Sequence, residues 1–292
     1  MNGLVLLDKP KGITSHDAVN RWRKLAGTKR AGHLGTLDPM ATGLLMLVSG
    51  NTTRLARFFE KQEKTYEAEV RFGFVSDTYD ADGEVSPTGI ASPDPVQIAE
   101  ALDRFRGPLL QKPPPVSAKK IGGIPAYKLA RSNKPVDLPP VPVSVHRLEW
   151  QMTAPGTCRL HVTCSAGTYI RSLAHDLGQA LGCGAILTGL RRTASGTFQV
   201  SDARTFEALD QLKQENKLST ALIPPARMLP EFPIAYVDAA TEAQIRVGRE
   251  FRTSPFAVPS GAPFVKALSY AGDLVAIGEL KFPNVYHPMM VL

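Results

Sequence analysis

The sequence predicts a mixed α and β protein in two parts: a larger domain of sheet and helix, and a smaller, mainly β domain at the C-terminal end. Three observations predict it. The 292 residues exceed an average domain of roughly 150. Apolar strand-like runs and amphipathic helical segments intermix through most of the chain without a strict βαβ rhythm. Beyond Pro224-Pro225 the readable segments are β-type, with turn residues between them. The expected boundaries are 1–228 and 229–292.

Taken in order, Gly3 to Leu7 reads as a short strand. Ser15 then caps a helix whose apolar residues Ala18, Val19, Trp22 and Leu25 share one face. Gly27 to Pro39, with Gly27, Gly32, Gly35 and Pro39, reads as a loop entering a buried strand at Leu44 to Val48. A polar, glycine-rich loop held on a core strand is a common place for chemistry. Thr65 to Phe72 alternates like a half-buried strand, and Asp94-Pro95 opens a helix running to Arg106, Asp as cap and Pro at its first position. A Pro-rich loop follows from Pro108 to about Pro142, then strands at Val143 to Met152 and Thr157 to Cys164. Thr168 to Leu181 has a helical period and Ala185 to Leu190 returns to a strand. The last part carries β-type segments at Phe264 to Ser269, Leu274 to Leu280 and Pro288 to Leu292.

A composition of 43% hydrophobic and 21% charged residues is enough for a core that needs neither disulfides nor metal. Cys158, Cys164 and Cys183 are odd in number and form no C-x-x-C, so they read as thiols of a reducing compartment. The opening apolar run is broken by Asp8 and is too short for a signal segment, and no later run approaches ~18 apolar residues. The expectation is a cytoplasmic protein that does not span a membrane. The net charge of +7 is modest, but it is concentrated at the front: eleven Lys/Arg against five Asp/Glu up to Lys64, and five against six from Leu229 onward. Between Lys112 and Val143 six cations face Asp137 alone in a Pro- and Gly-rich stretch, which reads as a mobile basic loop able to grip phosphates.

The stretch RAGHLGTLDPMATGLL from Arg30 packs His33, Asp38 and three glycines together. On its own it admits two readings: Asp38 caps a helix beginning at Pro39, or Asp38 is a site carboxylate. SAGTYIRSLAHD from Ser165 places Tyr169 and Arg171 two residues apart, on one side only if the backbone is extended. Tyr66 reads as a core aromatic with its hydroxyl at a rim. Cys158, His161 and Cys164 do not make a zinc site, because on a strand His161 faces away from the cysteines. No G-x-G-x-x-G, G-x-x-x-x-G-K-[ST] or G-x-S-x-G pattern is present, so nucleotide-phosphate cradles and a hydrolase triad are unsupported.

Five segments together, GHLGTLDPMATGLL from Gly32, KTYEAEVRFG from Lys64, DTYDADGE from Asp77, GTYIRSLAHDLG from Gly167 and GLRRTASG from Gly189, resemble the tRNA pseudouridine synthase B family. With LDKPKGITSH at Leu7 they keep the family's order through about Arg227. The resemblance implies an α+β fold around a mixed central sheet flanked by helices, and isomerisation of the T-loop uridine at tRNA position 55 to pseudouridine. It also implies no metal or organic cofactor, and as partner only the tRNA T-arm, met by a monomer. By the same resemblance Asp38 is the catalytic carboxylate, Tyr66 lies against the target base, and Arg171 pairs with the carboxylate. Tyr169 and Leu190 line the pocket, and His33 contacts the displaced T-loop. Lys9 and the segment at about 112–143 are RNA-gripping parts, and 229–292 resembles a short PUA-type domain whose charge balance departs from that of a phosphate-binding module.

The chemistry suits these residue types. Pseudouridine forms when the N1–C1′ bond breaks, the uracil turns and C5 joins C1′; no redox change occurs. An Asp carboxylate can attack the electron-deficient sugar carbon, as in retaining glycosidases, or add to C6 of the base. The uridine must first be flipped out of its stack. A competing class is a non-catalytic tRNA-binding or tRNA-folding protein on the same fold; the intact Asp38, Tyr66 and Arg171 set argues against it. A sibling enzyme acting on other RNAs with protein partners would be expected to carry long charged tails, which the chain lacks.

Overall fold

The computed structural model describes residues 1–117, 120–121, 124–125 and 138–292. Nine strands form the main sheet: β1 (Gly3–Lys9), β2 (Ala31–Leu34), β3 (Thr42–Ser49), β4 (Lys64–Phe72), β5 (Gly107–Gln111), β6 (Val141–Ala154), β7 (Thr157–Cys164), β8 (Ala185–Ser195) and β9 (Phe198–Gln199). Their order is β1-β3-β8-β4-β7-β6-β5, with β2 beside β3 and β9 beside β8. All pairings are antiparallel except β3 with β8, joined at Arg191–Thr42 and Arg192–Gly43, so the sheet is mixed. Gly43 makes that junction possible: its φ is +96°, and a Cβ there would stand 2.3 Å from the Arg192 carbonyl oxygen.

Hydropathy follows how many faces each strand has covered. β1 and β3 are nearly continuous apolar runs because both faces are buried: Val5, Leu7, Leu45 and Leu47 join one hydrophobic cluster, Leu4, Leu6, Leu44 and Met46 another. β4 and β7 alternate because only one face is covered, by helices that include α1 (Ser15–Ala26), α2 (Pro95–Asp103), α3 (Ile170–Ala180) and α4 (Phe206–Gln214). Thr14, not Ser15, caps α1, in a reciprocal box with Asp17. Asp94 caps α2 as expected, and the helix ends at Asp103.

The second sheet contains β10 (Ile234–Val237), β11 (Phe251–Arg252), β12 (Phe264–Ser269), β13 (Leu274–Phe282) and β14 (Val285–Val291), ordered β10-β12-β13-β14-β11, with helix α5 (Ala239–Arg246) packed on it. It is not a tethered module. Leu268, Leu274, Ile277 and Met290 share a hydrophobic cluster with Leu4, Leu6, Leu44 and Met46, so the C-terminal sheet covers the second face of β1 and β3. All three cysteines are buried thiols. No helix among the described residues is long and apolar enough to cross a membrane.

Candidate active site

Asp38 lies in the connection from β2 to β3, and every carbonyl from Gly35 to Pro39 is held. Arg192 donates from Nη2 to the Gly35 oxygen at 3.1 Å and from Nη1 to that of Thr36 at 3.4 Å. Ser15 Oγ accepts the Leu37 N–H at 2.8 Å and donates back to the Leu37 oxygen at 3.0 Å. The Asp38 oxygen accepts Ala41 N–H at 3.1 Å, and the Pro39 oxygen accepts Gly12 N–H at 2.8 Å and Lys9 Nζ at 3.4 Å. The chain passes from this turn into β3 without a helix, so Asp38 caps no helix, and its half-buried carboxylate is turned to the buried Arg171.

Arg171 meets that carboxylate. Its Nε stands 2.9 Å from Asp38 Oδ2, and Nη2 donates to Oδ1 at 3.1 Å, a two-point ion pair whose guanidinium side is 5% exposed and whose carboxylate side is 35% exposed. Three further groups hold the guanidinium: Asp80 Oδ2 at 3.4 Å, the Thr78 oxygen at 3.1 Å and the Val116 oxygen at 3.0 Å. Burial pushes the Asp80 carboxyl up, against the pull of Thr78 and Arg171. Arg171 comes from the first turn of α3, whose start is pinned by the buried Gln111. The Gln111 amide accepts Tyr169 N–H at 2.8 Å and donates to the Tyr169 oxygen at 3.0 Å. Tyr169 is extended, with ψ at 111°, before the helix begins, which lets both residues reach one pocket.

The Asp38–Arg171 pair forms part of the wall of two cavities. The smaller, of about 250 Å³, is lined on its sheet side by Tyr66, Leu190, Lys64 and Arg192 and on its helix side by Tyr169. Tyr66 is buried, and burial pushes its phenol up, with the neighbouring Arg192 opposing. The larger, of about 600 Å³, contains His33, His16, Asp80 and Asp82. His33 projects from β2, a strand where the sequence read as loop; burial lowers its imidazole, and its Nδ1 has no hydrogen-bond partner.

The structure therefore brings Asp38, Tyr66, Arg171, Tyr169 and Leu190 around one cavity, with His33 on the other side of the ion pair. Lys9 is a correction. It is 0% exposed, and its ammonium donates to the oxygens of Pro10, Ile13 and Pro39, so it does not reach a phosphate but supports the Asp38 turn. Burial lowers this ammonium to about 8. Of the basic segment at 112–143, positions 118–119, 122–123 and 126–137, Lys119 and Lys128 among them, lie outside the described residues, as does the Lys120 side chain. Sequence reasoning missed Ser15 as a loop clamp, Asp80 as a second carboxylate on Arg171, and the buried pair Lys64 and Arg192. For Lys64 a signal existed, because it occupies the apolar phase of the alternating β4. Among the described residues no cluster of His, Cys, Asp and Glu is arranged to hold a metal.

Residues 23–170 match the model of the TruB family pseudouridylate synthase N-terminal domain, and 171–229 that of the tRNA pseudouridylate synthase B C-terminal domain. The chain is 50% identical over 293 residues to the tRNA pseudouridine synthase B of Solibacter usitatus (strain Ellin6076), covering 100% of both. It is 40% identical over 274 residues to that of Burkholderia mallei (strain NCTC 10247), covering 94% of this chain and 90% of the relative. Among solved structures, a chain of an H/ACA RNP bound to a substrate RNA containing 2′-deoxyuridine superposes with a TM-score of 0.73 at 23% identity, over 99% of this chain and 84% of its own. A chain of a Cbf5-Nop10-Gar1 complex does so with 0.73 at 24%, over 98% and 83%. At that identity the likeness concerns the fold.

Proposed function

This chain belongs to the TruB family of pseudouridylate synthases, and from that premise we propose that it converts the T-loop uridine at position 55 of tRNA to pseudouridine with Asp38 as nucleophile. The observation that carries the reading is the Asp38–Arg171 ion pair in the wall of a cavity closed by Tyr66 and Leu190. A uridine flipped into that cavity sets C1′ against the carboxylate, with the uracil between the Tyr66 ring and Leu190. The Asp38 carboxylate takes up C1′ as the N1–C1′ bond breaks, the base turns, C5 displaces the carboxylate, and the C5 proton leaves. The fixed carbonyls of Gly35 to Pro39 keep the nucleophile in place without reorganisation. With its phenol raised by burial, Tyr66 acts as a flat wall and proton-bearing group. His33, facing the larger cavity, contacts the T-loop nucleotides displaced by flipping.

The reading includes a monomer working in the cytoplasm on the tRNA T-arm. Its catalytic part spans 1–228, with an RNA-gripping insertion at about 112–143, and 229–292 forms a PUA-like part. The experiment is direct: incubate the purified protein with an unmodified tRNA transcript, without added metal or nucleotide, and map pseudouridine with a modification-sensitive readout. Conversion at the T-loop uridine is expected; no conversion, or conversion confined to other positions, contradicts the reading. Binding without conversion identifies instead a tRNA-binding protein on the same fold.

A further inference from the structure

Besides Arg171, two cations line the smaller cavity without an ion pair of their own, although Asp38 and Glu60 line it too. Lys64 opens β4 and Arg192 lies on β8, where the register sets Arg192 opposite Tyr66 and Lys64 two residues along the same face. Lys64 is 8% exposed and Arg192 1%. The Lys64 ammonium donates to the Gln62 oxygen and the Arg192 guanidinium to the oxygens of Leu44, Thr36 and Gly35. Among the described residues neither forms an ion pair. They converge on one place: a Cβ built on Gly35 would stand 3.5 Å from Arg192 Nη1 and 3.8 Å from Lys64 Cε. Two desolvated like charges held together are unfavourable unless negative charge arrives beside them. Burial and Arg192 indeed lower the Lys64 ammonium to about 8.

The reaction proposed above delivers that charge. Before it, the negative charge sits on Asp38, answered by Arg171. When Asp38 bonds to C1′, the electron pair of the N1–C1′ bond leaves with the base, so the carboxylate becomes a neutral ester and the uracil an anion spread over N1, O2 and O4. When C5 bonds to C1′, the carboxylate leaves with its charge restored. The C5 proton is then removed, N1 takes up a proton, and the base ends neutral. We propose that Lys64 and Arg192 are the groups that stabilise this uracil anion, a catalytic role that rests on the preceding reading. Two cations on the base side of the cavity act directly on the charge that departure places on the uracil.

The test uses the full-length protein in single-turnover excess over a tRNA transcript carrying uridine, or 5-fluorouridine, at the target position. Consumption of the target nucleoside is followed after digestion. Arg192 also holds loop carbonyls, so Lys64 carries the experiment. Lys64→Gln is expected to slow consumption of uridine by about 10²-fold at saturation, with tRNA affinity within about threefold, and Lys64→Arg to recover most of the rate. On 5-fluorouridine the Lys64→Gln deficit should shrink severalfold, because the fluorine already stabilises the anion. An equal deficit on both substrates, an undiminished rate in Lys64→Gln, or a Lys64→Arg variant that folds and binds tRNA yet is as slow as Lys64→Gln, overturns the proposal. A wild-type protein that makes no pseudouridine is a different failure, that of the reading beneath it.

Discussion

Replacing Arg171 with Leu separates what this residue does for the fold from what it does for the site. In the native protein its guanidinium is 5% exposed and meets Asp80, whose side chain is 6% exposed, and Asp38, together with the Thr78 and Val116 oxygens. Removing one member of a buried pair costs about 3–5 kcal/mol, because the remaining charge is left without an answer; about 4 kcal/mol at pH 7 is expected here. Asp80→Asn alone keeps the shape and an acceptor for the Thr78 hydroxyl and the Asp82 N–H, now met at 2.6 and 3.1 Å, and should cost about 1 kcal/mol. If the penalty of Arg171→Leu comes from the stranded carboxylate, the double variant regains about 2 kcal/mol over that single variant, a coupling of about 3 kcal/mol.

The pH dependence has a fixed sign. The Asp80 carboxyl is already raised above its ordinary 3.8, and losing Arg171 raises it further. A carboxyl raised in the folded state is stabilising below its unfolded value, and that contribution is lost as pH rises through the folded value. The stability gap between Arg171→Leu and Arg171→Leu/Asp80→Asn should therefore narrow from pH 7 toward pH 4. Urea unfolding at both pH values measures it, and tRNA conversion should be absent from both variants. A gap independent of pH, or a double variant less stable than Arg171→Leu, refutes the reasoning.

Further outcomes follow from the same contacts. Lowering the Lys64 ammonium from 10.5 to about 8 corresponds to roughly 3 kcal/mol of unfavourable burial. Allowing about 1 kcal/mol for the lost bond to Gln62, Lys64→Met should unfold at higher urea at pH 7 by about 2 kcal/mol. That advantage fades from pH 8 to 10.5 as the wild-type ammonium loses its proton in the folded state first, and a less stable variant at pH 7 would contradict the assignment of an uncompensated charge. Ser15→Ala removes both bonds that hold Leu37, so single-turnover conversion should fall about tenfold while tRNA affinity, read by filter binding, stays within about threefold; unchanged conversion argues against a clamped nucleophile loop. Gly43→Ala drives a Cβ into the Arg192 carbonyl at a positive φ and should destabilise by more than about 3 kcal/mol in thermal or urea unfolding; a near-native melting curve contradicts the tight β3–β8 junction.

Legibility in the sequence followed the range of the interactions involved. β7, Thr157–Cys164, and β12, Phe264–Ser269, have the bounds the sequence predicts, because their alternation or apolar run is bracketed by local turns. The start of α2 was equally plain, since Asp94 and Pro95 act within one turn. β2 was not legible: Ala31–Leu34 is short and contains glycine, and it is a strand only because β3 offers it an edge. Helix α4, where no element was expected from the sequence, carries its own local signal, the Thr205 cap on Ala208 N–H. At the site, motif resemblance named the residues that meet the cavity, but it placed Lys9 on the RNA, whereas Lys9 lies beneath the Pro39 turn. Ser15, Asp80 and Arg192 reach the site from positions far apart along the chain: 22 residues separate Ser15 from Leu37, and 157 separate Arg192 from Gly35. No local pattern encodes such meetings.

The central claim is that the Asp38 carboxylate itself performs the chemistry on a flipped uridine, and Asp38→Asn tests it most directly, since the amide keeps the size and shape of the side chain while removing its nucleophilic charge. Measured side by side, tRNA binding and single-turnover pseudouridine formation should part company: affinity within a few-fold of wild type, and no pseudouridine at the T-loop uridine over times in which the wild-type protein converts all of it. Conversion by Asp38→Asn at a rate near that of wild type would contradict the account.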